Sequence, residues 1–309
     1  MHKVKVYEQK KCFYCGSPIT KKNGKKRDKQ RYKCYACGRQ FTGGDRLSIA
    51  ELWQHYRSNK QTYKELAKHY CVSESTIKRR LRTVNERFEC QSIPPNGVIL
   101  MDTTYFGKNW GVVVLKDYFT KKILWRKYVR NEKLIDYQEG IDFVLSQKYK
   151  IDGIVCDGLK GIFKQFSQYK IQLCQRHQID IVRRYLTRNP KLQAGKELYF
   201  LAKNITKLTE YEFITLFKQW EEKWFNFLNE RSKDDATGKT HFTHKKLRSA
   251  WRSIKNNSQY LFAYKKINNM PNTNNALEGT FTALKNRLRN HNGMSKVNRK
   301  RFIDGFFKA

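Results

Sequence analysis

The sequence predicts an α/β protein: a mixed five-stranded sheet with helices, interrupted by an all-helical insertion and preceded by two small modules. Three observations predict it. Between Val98 and Leu173, short apolar strand-like runs alternate with helical stretches. From 181 to 270, aromatic residues recur at helical spacing with no strand signal between them. Ahead of the sheet stand two Cys-x2-Cys pairs, followed by three short helical patterns.

The 309 residues are 39% hydrophobic and 14% aromatic, enough for two or three domains with a real core. The formal net charge of +37 would repel itself in isolation and calls for a polyanion. Double-stranded DNA is the expected partner, because neutralising phosphates releases counterions. An acidic membrane surface is the competing reading. Against it stand the lack of a long basic amphipathic stretch, of a lipidation motif and of any run of the roughly 18–20 apolar residues that span a bilayer. The opening Met1-His2-Lys3-Val4-Lys5 has no apolar signal segment, so a cytoplasmic protein is expected. Its eight cysteines should then be reduced, with clustered ones serving a metal rather than disulfides.

Residues 1–45 read as a zinc ribbon. Cys12 and Cys15 form one knuckle, Cys34 and Cys37 the other, with eighteen residues between the pairs. Four thiolates fill a tetrahedral zinc site, so the metal is expected to be structural. Between the knuckles runs a basic hairpin tip including Lys25, Lys26 and Arg27, with a turn expected at Asn23-Gly24. Tyr32, Lys33 and Phe41 suggest a second hairpin. The basic tip, with Arg31, Lys33 and Arg39, is expected to meet DNA.

Residues 46–92 read as a helix-turn-helix DNA-binding domain. Ile49, Leu52, Trp53 and Tyr56 have helical spacing, and a second helix covers Tyr63 to Tyr70. Ser73 caps a third helix from Glu74 to about Arg87. Ile77, Leu81 and Val84 share its apolar face, while Ser75, Lys78, Arg79 and Arg82 share the other, the layout of a recognition helix in a major groove. An ordinary three-helix unit with a solvated basic face is the alternative. Cys71 and Cys90 read as packed thiols. Pro94-Pro95-Asn96-Gly97 marks a boundary.

Residues 98–180 form the first part of the sheet domain. Val98–Thr104, Trp110–Leu115 and Lys122–Val129 should be antiparallel neighbours. A helix from about Glu132 to Gln147, a strand at Gly153–Cys156, a helix from about Leu159 to Tyr169 and a strand at Ile171–Leu173 complete the ribonuclease H-like order. In that order Asp102, on the first strand, and Asp157, after the fourth, become neighbours although 55 residues apart. A turn explains Asp157-Gly158 alone, and a structural aspartate is the alternative for Asp102. Cys174 and His177 follow the fifth strand; the pair reads as half a metal site or as hydrogen-bonding support beside the carboxylates.

Residues 181–270 carry the insertion. Phe213, Leu216, Phe217, Trp220, Trp224, Phe227 and Leu228 make its strongest stripe, and Tyr199, Leu201, Ile205 and Leu208 a weaker one. Trp251 opens a basic helix and reads as core or as a platform for a displaced base. Residues 271–309 return to the sheet domain. On a helix from about Ala276 to Arg289, Glu278, Thr282, Lys285 and Arg289 form a polar stripe suited to metal and phosphate. The competing reading makes Asn275 an N-cap and Glu278 its capping-box partner.

With these residues in place, the chain resembles a bacterial insertion-sequence transposase of the Mutator-like DDE class, in its zinc-ribbon-bearing variant. The resemblance rests on Asp102 in Leu-Met-Asp-Thr-Thr, Asp157 in Cys-Asp-Gly, Cys174 and His177 as Cys-x2-His, and Asn-Asn-Ala-Leu-Glu-Gly at 274–279, and it covers nearly the whole chain. It implies DNA transposition, with Asp102, Asp157 and Glu278 coordinating two Mg²⁺ ions, or Mn²⁺, about 3.5–4 Å apart. It further implies that the two leading modules read terminal inverted repeats, that the enzyme acts as a homodimer or higher multimer, and that it works at the bacterial nucleoid. A non-enzymatic DNA-binding regulator of transposase descent and a metal-dependent nuclease or resolvase are the other readings considered.

Overall fold

A computed structural model of the chain describes residues 10–12, 14–26, 28–42, 47–58, 61–90, 92–107, 110–235, 237–291 and 293–308. Two compact units emerge. One comprises the described residues up to Glu86 joined by Arg289–Phe302; the other comprises Arg87–Leu288 with the described residues from Ile303.

The first unit opens with an antiparallel sheet of β1 (Thr20–Lys26), β2 (Lys29–Cys34) and β3 (Gln40–Thr42). Tyr32 pairs with Phe41 and their rings stack at 5.7 Å, which makes the expected second hairpin. The first hairpin differs from expectation. Lys26 pairs with Lys29, so the chain reverses there, and Asn23-Gly24 is a bulge within β1 where the register shifts. Gly24 takes φ +68°, and the carbonyls freed by the bulge are used by neighbours: Gln30 donates to Gly24 O at 3.0 Å and Arg31 to Asn23 O at 2.9 Å. Arg27 lies outside the described residues.

Three helices follow: α1 (Ile49–Ser58), α2 (Tyr63–His69) and α3 (Glu74–Arg82). Leu52, Leu66 and Ile77 are fully buried between them, with Phe302 beside Tyr56 at a ring separation of 5.8 Å. Thr62 and Glu65 close a reciprocal capping box on α2, and Ser73 Oγ accepts from the Thr76 amide to cap α3. α3 ends five residues earlier than the apolar spacing predicts. The Thr83 hydroxyl and amide both bond the Arg80 carbonyl, and the Val84 amide turns to Leu81, so the ladder tightens and stops. Val84 is therefore off the helix. Cys71 is exposed in the turn after α2, at φ +51°, rather than packed.

The second unit is built on a mixed five-stranded sheet. β4 (Asn96–Tyr105), β5 (Gly111–Asp117) and β6 (Ile123–Val129) are antiparallel neighbours. After α4 (Leu134–Ser146), β7 (Lys150–Cys156) adds parallel to β4. After α5 (Ile162–Gln165), β8 (Ile171–Leu173) adds parallel to β7, giving the order β6-β5-β4-β7-β8. Every residue of β5 is buried, which is why the strands read as continuous apolar runs. α5 is one turn, not the long helix expected from Leu159 to Tyr169. Gly161 enters it at φ +89° and Phe166 leaves it at φ −113°, both incompatible with helix. At the head of the sheet, Gly97 admits no side chain: an added Cβ would meet Asp117 Oδ1 at 2.3 Å.

The region between β8 and the last two helices, expected to be all-helical, holds α6 (Gln175–Leu186), α7 (Gln193–Lys203), α8 (Glu210–Lys223), α9 (Phe225–Asn229) and α10 (Lys245–Asn257) around Phe213, Phe217, Trp220 and Phe262. It is not all-helical. β9 (Arg231–Lys233) and β10 (Thr240–Phe242) pair antiparallel across the Asp234–Lys239 loop. These three-residue polar strands show no alternation that a sequence could display; the Ser232–Thr243 hydroxyl contact at 2.6 Å and the turn bonds of Asp234 hold them. α11 (Asn275–Arg289) and α12 (Lys296–Phe307) close the chain. In the second unit, Asp304 of α12 receives a bidentate pair from Arg126, both bonds 2.8 Å, and the Tyr128 hydroxyl at 2.6 Å. Among the described residues no helix is long and apolar enough to cross a membrane.

Candidate active site

The register of the sheet brings the first two carboxylates together. Leu100 pairs with Val155 across the parallel β4–β7 ladder, so the positions two residues on, Asp102 and Asp157, fall side by side on one face. Cys156 pairs with Leu173 in the next ladder, so Asp157 and Cys174 are the next residues along, and the Cys174 amide bonds the Cys156 carbonyl at 2.9 Å. α6 starts immediately after Cys174 and turns His177 back over these strand ends.

His177 is the hub. Its Nδ1 lies 2.9 Å from Asp157 Oδ1 and 3.6 Å from Glu278 Oε1. The contact with Asp157 is close but not aligned as a hydrogen bond. Asp157 Oδ1, His177 Nδ1 and Glu278 Oε1 are all buried atoms without a hydrogen-bond partner. Ligand atoms of Cys174, His177 and Glu278 lie within 4.8 Å of one another. Polar atoms that face each other are costly unless a proton or a metal cation joins them; the Cys174 sulfur and His177 imidazole suit a borderline metal, and the carboxylate oxygens a hard one.

The charges tell the same story. Asp102 keeps a partly open edge, yet burial first and the charge of Asp157 second hold its carboxyl well above the usual carboxylate range, despite a 2.6 Å bond from the Thr103 amide. Burial opposes the charging of His177, but Asp157 and the Cys174 sulfur outweigh it and push its pKa up to about 11. Crowded acids of this kind either hold protons or take a cation.

Glu278 is not a helix cap. The amides of Leu277 and Glu278 both donate to the Asn274 carbonyl, so Asn274 is the N-cap and Glu278 lies one position beyond a capping box. Its carboxylate turns to His177 instead. Asn274 is itself fully buried: its side-chain amide donates to Met101 O at 3.0 Å and its backbone amide to Cys174 Sγ at 3.2 Å. One residue thus ties the start of α11 to the residue before Asp102 and to Cys174. Glu132 also contributes to the field on Asp102; it accepts from the Tyr137 hydroxyl, which contacts Thr103 Oγ1 at 3.0 Å. The sequence offers no signal for Glu132. Asn274 stands in the 274–279 motif, but its role shows only in three dimensions.

The four cysteines Cys12, Cys15, Cys34 and Cys37 also converge. Cys12 and Cys37 sulfurs lie 3.6 Å apart, as do those of Cys15 and Cys34, and all four lie within 4.8 Å of one another. A tetrahedron of sulfurs 2.3 Å from its centre has edges of about 3.8 Å, so the geometry fits zinc. Gly16 and Gly38, at φ +71° and +70°, let each knuckle fold back.

The remaining predicted contacts lie elsewhere. Lys25 and Lys26 are exposed on β1; Ser75, Lys78, Arg79 and Arg82 are exposed on α3. Lys285 is half-buried and Arg289 exposed on α11. Trp251 packs against the helical core, and its indole N–H donates to Glu221 at 3.1 Å with Lys255 over the ring. Stacking on a base requires those contacts to open.

No family model and no curated protein matches the chain. Among solved structures it is similar to the Drosophila P element transposase strand transfer complex, at 10% identity over 85% of this chain and 92% of that one, with a TM-score of 0.42. It is also similar to a chain of the simian T-cell lymphotropic virus intasome complexed with PP2A regulatory subunit B56 gamma, at 14% identity over 52% and 69%, TM-score 0.22. A third is the Mos1 strand transfer complex, at 13% identity over 70% and 76%, TM-score 0.19.

Proposed function

We propose that the chain is a DDE transposase that cuts and joins DNA strands at the ends of an insertion sequence, with Asp102, Asp157 and Glu278 as its metal-binding carboxylates. One observation carries this reading. Acidic residues 55 and 121 positions apart in sequence meet at one end of a sheet, around buried polar atoms that lack hydrogen bonds. Glu278 in particular has lost its ordinary explanation as a cap.

In this reading Asp102, Asp157 and Glu278 would hold two Mg²⁺ or Mn²⁺ ions, which would supply Lewis-acid activation of a water or 3′-hydroxyl and charge stabilisation at the leaving oxygen. Asp102, within β4, and Asp157, just past the end of β7, would present their carboxylates from rigid backbone. His177 carries a proton beside Asp157 and keeps the carboxylates from repelling one another in the metal-free state. Asn274 sets the angle at which α11 delivers Glu278. Arg176, exposed on α6, and Lys285, half-buried on α11, would be available to substrate phosphates. The ribbon thiols hold structural zinc, and the ribbon with α3 reads the terminal repeats. The enzyme acts as a dimer or larger multimer on double-stranded DNA at the bacterial nucleoid.

The test is Mg²⁺-dependent nicking of a duplex carrying the element's ends by wild type and by Asp102→Ala. Loss of nicking in the variant, with end binding retained, is expected. Equal nicking by both overturns the assignment. Binding without nicking in the wild type favours a DNA-binding regulator.

A further inference from the structure

Lys116 is a buried cation that the carboxylate site does not use. It sits on β5, paired with Leu100, and is only 6% exposed. Its Nζ donates to the Thr280 hydroxyl at 2.6 Å and to the Ala276 carbonyl at 3.1 Å, both neutral acceptors on α11. An ammonium has three N–H donors, so one remains. Burial, and then the nearby Lys121, act against its charge and lower its pKa. A buried ammonium without a counter-charge is costly to keep.

It lines a cavity of about 840 Å³ within the second unit, together with Lys121, Lys122, Arg287 and Lys308; Glu89 is the one acid in the lining. Among the described residues no carboxylate pairs with Lys116, Lys121, Lys122 or Arg287. Lys121 lies 3.8 Å from the centre of the Tyr118 ring, Lys122 donates to Ser92 Oγ at 2.6 Å, and the Arg287 guanidinium lies over Phe306 at 4.9 Å. Asp117, the acid next in sequence, is occupied by Thr120 and Tyr149. Glu278 and Thr280 are about 200° apart around α11, so this cavity flanks the helix away from the carboxylates.

We propose that this cavity is a phosphate-binding site, distinct from the carboxylate centre. Lys116, Lys121, Lys122 and Arg287 line one cavity without a carboxylate partner among the described residues, and match a phosphate's charge and its acceptor oxygens. The phosphate belongs either to a DNA backbone or to a small phosphorylated compound, and the two are separable by experiment.

The probe is inorganic pyrophosphate, titrated calorimetrically into the full chain in EDTA, so that metal at the carboxylates plays no part. Lys116→Met and Arg287→Gln should each weaken binding on the order of tenfold, the size of one charge-assisted hydrogen bond. Lys218→Gln, an equal charge change on exposed α8, should leave it nearly unchanged. In parallel, the salt dependence of binding to a random duplex is measured. If the site holds DNA backbone, its slope falls by about one for each cavity cation removed. If pyrophosphate binding falls and the DNA slope stays, the ligand is a small phosphate. The proposal is overturned if Lys218→Gln weakens pyrophosphate binding as much as Lys116→Met, or if neither measurement responds to the cavity variants. Because Asp102→Ala should bind pyrophosphate as wild type does, failure of the transposase reading leaves this test intact.

Discussion

Asp102 follows four buried apolar residues, Val98 to Met101, and its own amide neighbour bonds it, yet it is held protonated-prone by burial and by Asp157. That conflict predicts a trade-off. Asp102→Asn keeps the shape and the bond from Thr103 while removing one of two repelling charges, so in EDTA at neutral pH it should stabilise the fold by about 0.5–2 kcal/mol while abolishing nicking. Thermal unfolding checks it; a lower midpoint than wild type contradicts the assigned repulsion. His177 gives the matching pH prediction. Its folded pKa, pushed up to about 11, stands above the ordinary 6.5. Its contribution to stability is therefore complete below about pH 6.5 and fades as pH rises toward 11. Nitrogen NMR of the imidazole in metal-free protein should show it still protonated at pH 8, and titration near 6.5 would contradict the cluster.

The elements show which parts of this arrangement a sequence can display. β4, β5 and β7 were legible because buried strands are written as apolar runs, and their order placed Asp102 beside Asp157. Glu278 was legible as a candidate metal-binding carboxylate with a capping box as its competing reading, and the one-residue shift of the N-cap from Asn275 to Asn274 removes the capping box. α5 and the β9–β10 hairpin were misread because backbone dihedrals at Gly161 and hydroxyl contacts at Ser232, not periodicity, decide them. The couplings of Lys116 to Thr280 and Arg126 to Asp304 span more than 160 residues and leave no local pattern. The second of these anchors α12. Asp304→Ala strands Arg126 and the Tyr128 hydroxyl together, and should cost roughly 3–5 kcal/mol in urea unfolding. A cost below about 1 kcal/mol would mark the pair as solvated. At the other end of the chain, four thiols hold a ribbon whose strands bury little, so chelation should abolish the β1–β3 structure while leaving the second unit folded, as hydrogen exchange can report.

For the whole molecule, a net charge of +37 would favour any DNA, so in the proposed function affinity alone would not separate a unit that reads sequence from one that performs chemistry. The division into two compact units makes the roles separable. α3, with Lys78, Arg79 and Arg82 exposed, belongs to the first; Asp102, Asp157 and Glu278 belong to the second. Changing the three α3 cations to glutamine should lower the salt slope of binding by about three and erase preference for the element's ends. It should leave the single-turnover nicking rate at saturating DNA unchanged, because in the proposed function those side chains would meet backbone and bases rather than the reacting phosphate. Asp102→Ala should do the reverse, keeping slope and preference while nicking disappears. The comparison of slope against saturated rate is the informative one: an α3 variant that loses rate at saturation would mean that reading the ends and cutting them are one event rather than two.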